Sequence, residues 1–318
     1  MQRNGTARFT DADDYRASVR EAKFDLVFNS QRDFQAQLTW LELRHLRLLR
    51  GQENLPRVAH LSLASDQIFV AFPIRHDPRQ LCDGVELQPG DIVFHSRGER
   101  VHQRTLGPSR WGLIALAPEY LSAGGKALTG FDLAAPLVAR ILRPSTVDAA
   151  HLLRVHASAC RLAETKPGMI AHPEVARAIE QDLLHALVNC LTSSDAHEYS
   201  APKRHHMEII ARFEDVVATH SEWQPQIPEL CSTIGVTERT LRACCTEFLA
   251  MSPNRYIRLK HLNMVRAALR RVDSSKATVG DLARSYGFSE LGRFAGLYRT
   301  VFGETPSTTL RSARITRP

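Results

Sequence analysis

The sequence contains no apolar run approaching the roughly 18 residues that a membrane span requires, so a membrane-embedded chain is not expected. Its opening stretch, MQRNGTARFTDADDYRAS, lacks the apolar core of a secretory signal, and the expected compartment is the cytoplasm. None of the six cysteines, Cys82, Cys160, Cys190, Cys231, Cys244 and Cys245, forms a C-x-x-C pair. A chain of 318 residues can build its cores without staples, so they are read as reduced and mostly buried thiols. No H-x-H pair occurs, and His95 and His102 stand seven apart, which removes the usual ligand spacing of a barrel metalloenzyme. G-x-S-x-G, Walker and G-x-G-x-x-G patterns are missing too. No catalytic residue, metal ligand or cofactor is therefore expected.

What the chain does have is an uneven charge. Residues 1–202 carry 23 Lys and Arg against 23 Asp and Glu. Residues 203–318 carry 18 against 11, which accounts for the whole net charge of +7. A basic region beside a neutral one suggests a polyanionic partner for one half only. A solvated basic surface is the other reading of the same counts.

The length suggests roughly two domains. From about 24 to 117, short segments rich in β-formers alternate with turn signals: WLELRHLRLLR (40–50), RVAHLSLA (57–64), QIFVAFPI (67–74), GDIVFHS (90–96) and RWGLIALA (110–117). Their spacing suggests an all-β barrel or sandwich. Helical periodicity follows over 145–164 and 172–192. In the second stretch Val175, Ile179, Leu183, Leu187 and Leu191 form one apolar stripe, either core or a dimer surface. Residues 193–206 are polar and aperiodic and are placed as a linker. Everything after them is expected to be helical.

The basic region contains a repeat. IPELCSTIGVTERTLRACCTEFLAMSP (227–253) lies over VGDLARSYGFSELGRFAGLYRTVFGETP (279–306) with one inserted residue. A small residue, Cys231 or Ala283, allows a close helix crossing. Four positions later Gly235 or Gly287 can take positive φ at a helix end. An apolar plug follows, and then Thr237 or Ser289 offers a hydroxyl to cap the next helix. These are the parts of a helix-turn-helix, whose second helix enters the DNA major groove. Between the copies, Ser252-Pro253 opens a helix to about Arg271. Its nineteen residues span about 28 Å, close to the roughly 34 Å between successive major-groove faces on one side of B-DNA. Gly292 and Gly296 lie inside the second copy's second helix, where each should cost about 1 kcal/mol relative to alanine.

On GVTERTLRACCTEFLAMSPNRYIRLKHLNMVRAALR and VGDLARSYGFSELGRFAGLYRTVFGETPS, the sequence resembles the AraC/XylS family of transcription regulators. The closing pattern of Gly-Phe-Ser, a second Phe six residues on, and Phe-Gly-x-Thr-Pro carries most of the resemblance, which covers 207–312. It implies a seven-helix DNA-binding domain with two helix-turn-helix motifs. It also implies an effector-binding, dimerising N-terminal domain, often a cupin-like β-barrel followed by helices. The expected fold class is thus α+β, with units 1–192 and 207–318. The implied reading positions fall on Arg239, Arg242 and Ala243 in the first motif, and on Leu291, Gly292, Arg293 and Gly296 in the second. Thr237, Thr240 and Ser289 join the DNA-facing set, with Arg299 and Lys260 as phosphate partners. Ala243 and Gly296 depart from the arginine or polar residue common there, which questions base reading by the second helix. In the barrel, Arg47 and His60 are the candidate ligand-binding residues. The implied partners are promoter DNA, a small-molecule effector, a second copy of the chain and, for an activator, RNA polymerase. The competing reading is an effector-independent architectural or interaction protein whose barrel only dimerises it.

Overall fold

The computed structural model describes residues 4–20, 22–29, 31, 33–75, 78–197, 201–219, 226–272 and 277–315. Among them no helix is long and apolar enough to cross a membrane. The chain divides into two compact units, one of residues 1–25, 34–56 and 60–199, the other of residues 26–33, 57–59 and 200–318.

The first unit is built on two sheets. Its strands are β1 (Asn4–Phe9), β2 (Ala22–Val27), β3 (Ala36–Glu42), β4 (Leu46–Glu53), β5 (Val58–Leu63), β6 (Ile68–Pro73) and β7 (Gln80–Cys82). β8 (Val85–Glu86), β9 (Ile92–Phe94), β10 (Arg100–Thr105), β11 (Ser109–Leu116), β12 (Arg140–Arg143) and β13 (Asp195–His197) follow. One sheet runs β1-β3-β4-β11-β6-β9-β12-β13 and the other β2-β5-β10-β7-β8. Each sheet has two distinct edge strands, so the expected closed, cupin-like barrel is corrected to two open sheets. The helices are α1 (Ala12–Ser18), α2 (Pro118–Thr129), α3 (Thr146–Thr165), α4 (Pro167–Ile170) and α5 (Pro173–Thr192).

WLELRHLRLLR is not one strand. It folds back as the β3–β4 hairpin, with Arg44 and His45 at the tip and Leu43 N–H donating to Leu46 O at 2.9 Å. No glycine or proline marks this turn, so it carried no turn signal. The alternation on either side still sorts faces: Leu41, Leu46 and Leu48 are buried in one cluster with Ile68, Val70, Phe72, Ile114 and Leu116. All of the α5 stripe but Val175 belongs to that core. Leu183 and Leu187 are fully buried, with Ile179 and Leu191 packed against the cluster. α3 is pinned to the sheet by His156, whose Nε2 lies 3.1 Å from Leu49 O. Burial drives this imidazole down to about 4, so it stays neutral. Buried Glu53 accepts from Tyr15 Oη, Ser109 Oγ and Trp111 Nε1 at 2.7, 2.9 and 3.0 Å, which satisfies its carboxylate. All six cysteines are free and buried.

The second unit contains seven helices among the described residues: α6 (Ala201–Thr219), α7 (Ile227–Ile234), α8 (Glu238–Leu249), α9 (Pro253–Arg271), α10 (Val279–Ser285), α11 (Leu291–Phe302) and α12 (Pro306–Ile315). The segment read as a linker, 193–206, holds β13 and the start of α6, and its residues 198–200 lie outside the described set. One apolar core, from Ile209 through Phe302, runs through all these helices except α12, whose Leu310 packs against it.

Residues 26–33, expected in the barrel and including the last two residues of β2, belong to this second unit. Gln31 is buried there. Its backbone N–H donates to Val301 O at 2.5 Å and its Nε2 to Asn263 Oδ1 at 3.1 Å, while its Oε1 accepts from Arg266 Nη1 at 3.0 Å. Arg266 also lies 4.9 Å over the Phe302 ring and 3.5 Å from Glu304. A residue some 230 positions away in sequence thus ties α9 to the end of α11.

Candidate nucleic-acid interface

Two hairpins, α7–α8 and α10–α11, repeat one construction. In the first, Gly235 closes α7 at φ 77°, and the N–H groups of Gly235 and Val236 both reach Cys231 O, at 2.9 and 3.0 Å. An L side chain is strained at that φ, which is why glycine stands there. In the second, Gly287 takes φ 81°, and Phe288 N–H donates to Ala283 O at 3.0 Å. Cys231 and Ala283 are buried at the crossings, as their small size requires.

Thr237 caps α8, its Oγ1 accepting from Thr240 N at 3.2 Å and contacting Thr240 Oγ1 at 2.9 Å. The buried face of α8 is Leu241, Cys244, Cys245, Phe248 and Leu249. The opposite face exposes Thr237, Glu238, Arg239, Arg242, Ala243 and Thr246. Arg242 is held by Glu238 one turn earlier, with Nε and Nη2 at 2.8 and 2.5 Å from Oε1. Sequence reasoning missed this pair, although the i, i+4 spacing was its signal. Arg239 is exposed and engaged by no ion pair among the described residues.

α11 differs at its start. The inserted residue moves its N-cap to Glu290, which makes no side-chain cap bond, so Ser289 is not the cap expected of it. α11 buries Phe294, Tyr298, Val301 and Phe302 and exposes Gly292, Arg293, Gly296 and Arg299, with Leu291 half-buried. A Cβ added at Gly292 or Gly296 would meet nothing within 4 Å. No internal contact therefore requires these glycines, and they leave a bare strip on the outer face. Arg293 lies 3.6 Å from Glu290, both highly exposed.

Lys260 is placed elsewhere. Its Nζ donates to Glu214 Oε2 at 2.6 Å, and Tyr256 Oη bonds the other oxygen of that buried carboxylate. Lys260 is thus an internal partner of Glu214, not a free phosphate contact. The exposed cations of α9 are Arg255, Arg258 and Arg271, none of which the sequence reading proposed as a DNA contact. Of the two ligand candidates, Arg47 sits on β4 and His60 on β5, in different sheets. His60 stacks on His102 at 4.7 Å and 18°.

Residues 230–312 match the sequence profile of a helix-turn-helix domain family. This region is an AraC-type double helix-turn-helix domain. The chain is similar to a probable thc operon regulatory protein of Rhodococcus erythropolis, 27% identical over 153 residues, 47% of this chain and 45% of that one. It is also similar to a XylDLEGF operon transcriptional activator of Pseudomonas putida, 37% identical over 88 residues, 28% of this chain and 27% of that one. The alignments thus span less than half the length of these curated relatives. Among solved structures, the AraC-like transcriptional activator CuxR aligns with a TM-score of 0.45 and 18% identity over 89% of this chain and 99% of that one.

Proposed function

We propose that this protein is a transcription regulator whose C-terminal unit lays α8 and α11 in successive major grooves of promoter DNA. The carrying observation is the pair of hairpins, each presenting the outer face of its second helix, within the region that holds all the excess positive charge. The relatives support the reading, since both are named as operon regulators. Arg239 and Arg242 are the base readers of α8, because a guanidinium pairs bidentately with guanine O6 and N7. Glu238 holds the Arg242 guanidinium at the helix surface until guanine replaces it. Arg293 is the base reader of α11, while Gly292 and Gly296 admit close approach and shape readout. Arg299 contacts phosphate, which positions without specifying.

The first unit is proposed to bind a small-molecule effector and to dimerise the chain. The effector shifts the population between DNA-competent and incompetent arrangements. The α5 stripe is core, so a dimer would use outward faces of α3 and α5. The competing architectural reading differs in one observable: its DNA affinity responds to no small molecule.

The test uses a DNA site selected from a random pool by the full chain. Arg239→Ala and Arg242→Ala should each lose about 1–3 kcal/mol of discrimination between that site and single-base variants. Affinity should also fall steeply with salt. Parental selectivity in both variants would overturn the assignment of α8.

A further inference from the structure

The β3–β4 hairpin tip lines a cleft of about 840 Å³ in the first unit. α5 holds the tip in place: the backbone N–H of His45 donates to Glu180 Oε1 at 2.6 Å, and Glu180 is only 6% exposed. The His45 ring stacks on Tyr120 of α2 at 4.8 Å and 21°, a second anchor for the tip. Together these two anchors hold the turn that carries Arg44, which lines the cleft. Arg177, on the same helix as Glu180, lines it too.

The lining divides by chemistry. Leu43, Ile170, Pro173 and Ala176 supply apolar surface. Arg44 and Arg177 are exposed, and neither guanidinium is engaged by a hydrogen bond or ion pair among the described residues. Tyr120 adds a phenol whose pKa is raised, by burial first and by the Glu180 charge second, so it remains an O–H donor. The acids are Glu180, already accepting from the turn, and Glu42 at the end of β3. Two unengaged guanidiniums beside an apolar surface match an anionic head on a hydrophobic body. The volume suits a small organic ligand, since such sites run to about 300–1,000 Å³.

We propose that this cleft is the effector site, taking a small organic carboxylate whose acid group pairs with Arg44 and Arg177 and whose body lies on Leu43, Ile170, Pro173 and Ala176. It rests on the regulator reading above and moves the ligand site away from Arg47 and His60, neither of which lines the cleft.

The full chain is titrated calorimetrically with phenylacetate and heptanoate, with phenylacetamide as the uncharged control. The expected result is at least about a tenfold preference for carboxylate over amide. The Arg44→Ala/Arg177→Ala double variant, altered only at exposed side chains, should lose that preference. Glu42→Gln, which removes the unengaged acid, should tighten carboxylate binding by about threefold. The site is overturned if neither carboxylate binds below about 1 mM, if the amide binds as well, or if the double variant keeps the preference. Anisotropy on the selected DNA separates the two readings. Carboxylate binding that leaves DNA affinity unchanged keeps the site and sinks effector control. DNA affinity that answers to an uncharged compound equally well in the double variant keeps effector control and sinks the site.

Discussion

α8 and α11 occupy the same place in two copies of one hairpin, yet they carry different surfaces. α8 is capped by Thr237 and presents Arg239 and a Glu238–Arg242 pair. α11 has no side-chain cap and presents Arg293 between two glycines whose Cβ positions are empty. The buried faces are equivalent, apolar and aromatic on both helices. The core pattern of a helix-turn-helix therefore constrains only the inward residues. The outward ones are free to diverge, one copy toward arginines and an ion pair and the other toward a bare glycine strip. The supports behind them diverge as well. An ion pair between Lys260 and Glu214 lies on the side of the first motif, and the neutral amide of Gln31 braces the second.

The largest expected effect tests those supports. Lys260→Met leaves Glu214 charged and buried without its cation, which should cost about 3–5 kcal/mol in urea denaturation. The Gln31→Ala loss should be smaller, about 1–3 kcal/mol, because only uncharged or singly charged hydrogen bonds are left unmade. The salt dependence of DNA binding by Lys260→Met should keep the parental slope. A drop of about one in that slope would mean that Lys260 does contact phosphate after all.

The caps come next. Thr237→Ala should cost about 1 kcal/mol, and Ser289→Ala close to nothing. Equal losses would show that the inserted residue does not move the cap of α11. Gly296→Ala should stabilise the chain by about 0.5–1 kcal/mol, since the new methyl meets no neighbour. The same change should weaken DNA binding if that face lies against the groove, whereas unchanged affinity would remove α11 from close contact.

The smallest effect is pH-dependent and confined to the second motif. His261 Nδ1 lies 3.0 Å from Tyr286 O, in the turn of that motif. Burial first of all, and the Lys260 charge to a lesser degree, hold its imidazole below the ordinary 6.5 against the bond to Tyr286 O, which raises it. A depressed histidine contributes stability that is present above its unfolded value and lost as pH falls toward the folded one. Hydrogen exchange from pH 7 down to 5 should therefore loosen α10 and α11 before α7 and α8. Uniform loosening of both motifs would contradict this asymmetry.

Most of the second unit was legible in the sequence because its signals are local. Gly235 and Gly287 mark turns that only positive φ can make, and Cys231 and Ala283 mark crossings that only small residues permit. The one inserted residue was visible, but its consequence, the cap moved from Ser289 to Glu290, depends on where the helix begins. Lys260 shows the limit more sharply. A lysine on a basic helix looks like a phosphate contact until Glu214, 46 residues earlier, is found buried beneath it. The first unit was less legible. The β3–β4 turn has no glycine or proline, being held by Leu43–Leu46 pairing and by Glu180, 135 residues away. Whether strands close into a barrel is a matter of edge pairing, which periodicity does not encode.

By itself, the sequence determined the charge asymmetry, the repeated hairpin and the faces of its helices, because backbone conformation and 3.6-residue periodicity act over a few neighbours. The tertiary structure decided which charged groups are engaged. Glu238 takes Arg242, Glu214 takes Lys260, Gln31 joins the second, helical unit, and Arg44 and Arg177 are left open beside a cleft. Ion pairing and burial depend on distances between residues far apart in the chain, and those distances exist only once the chain has folded.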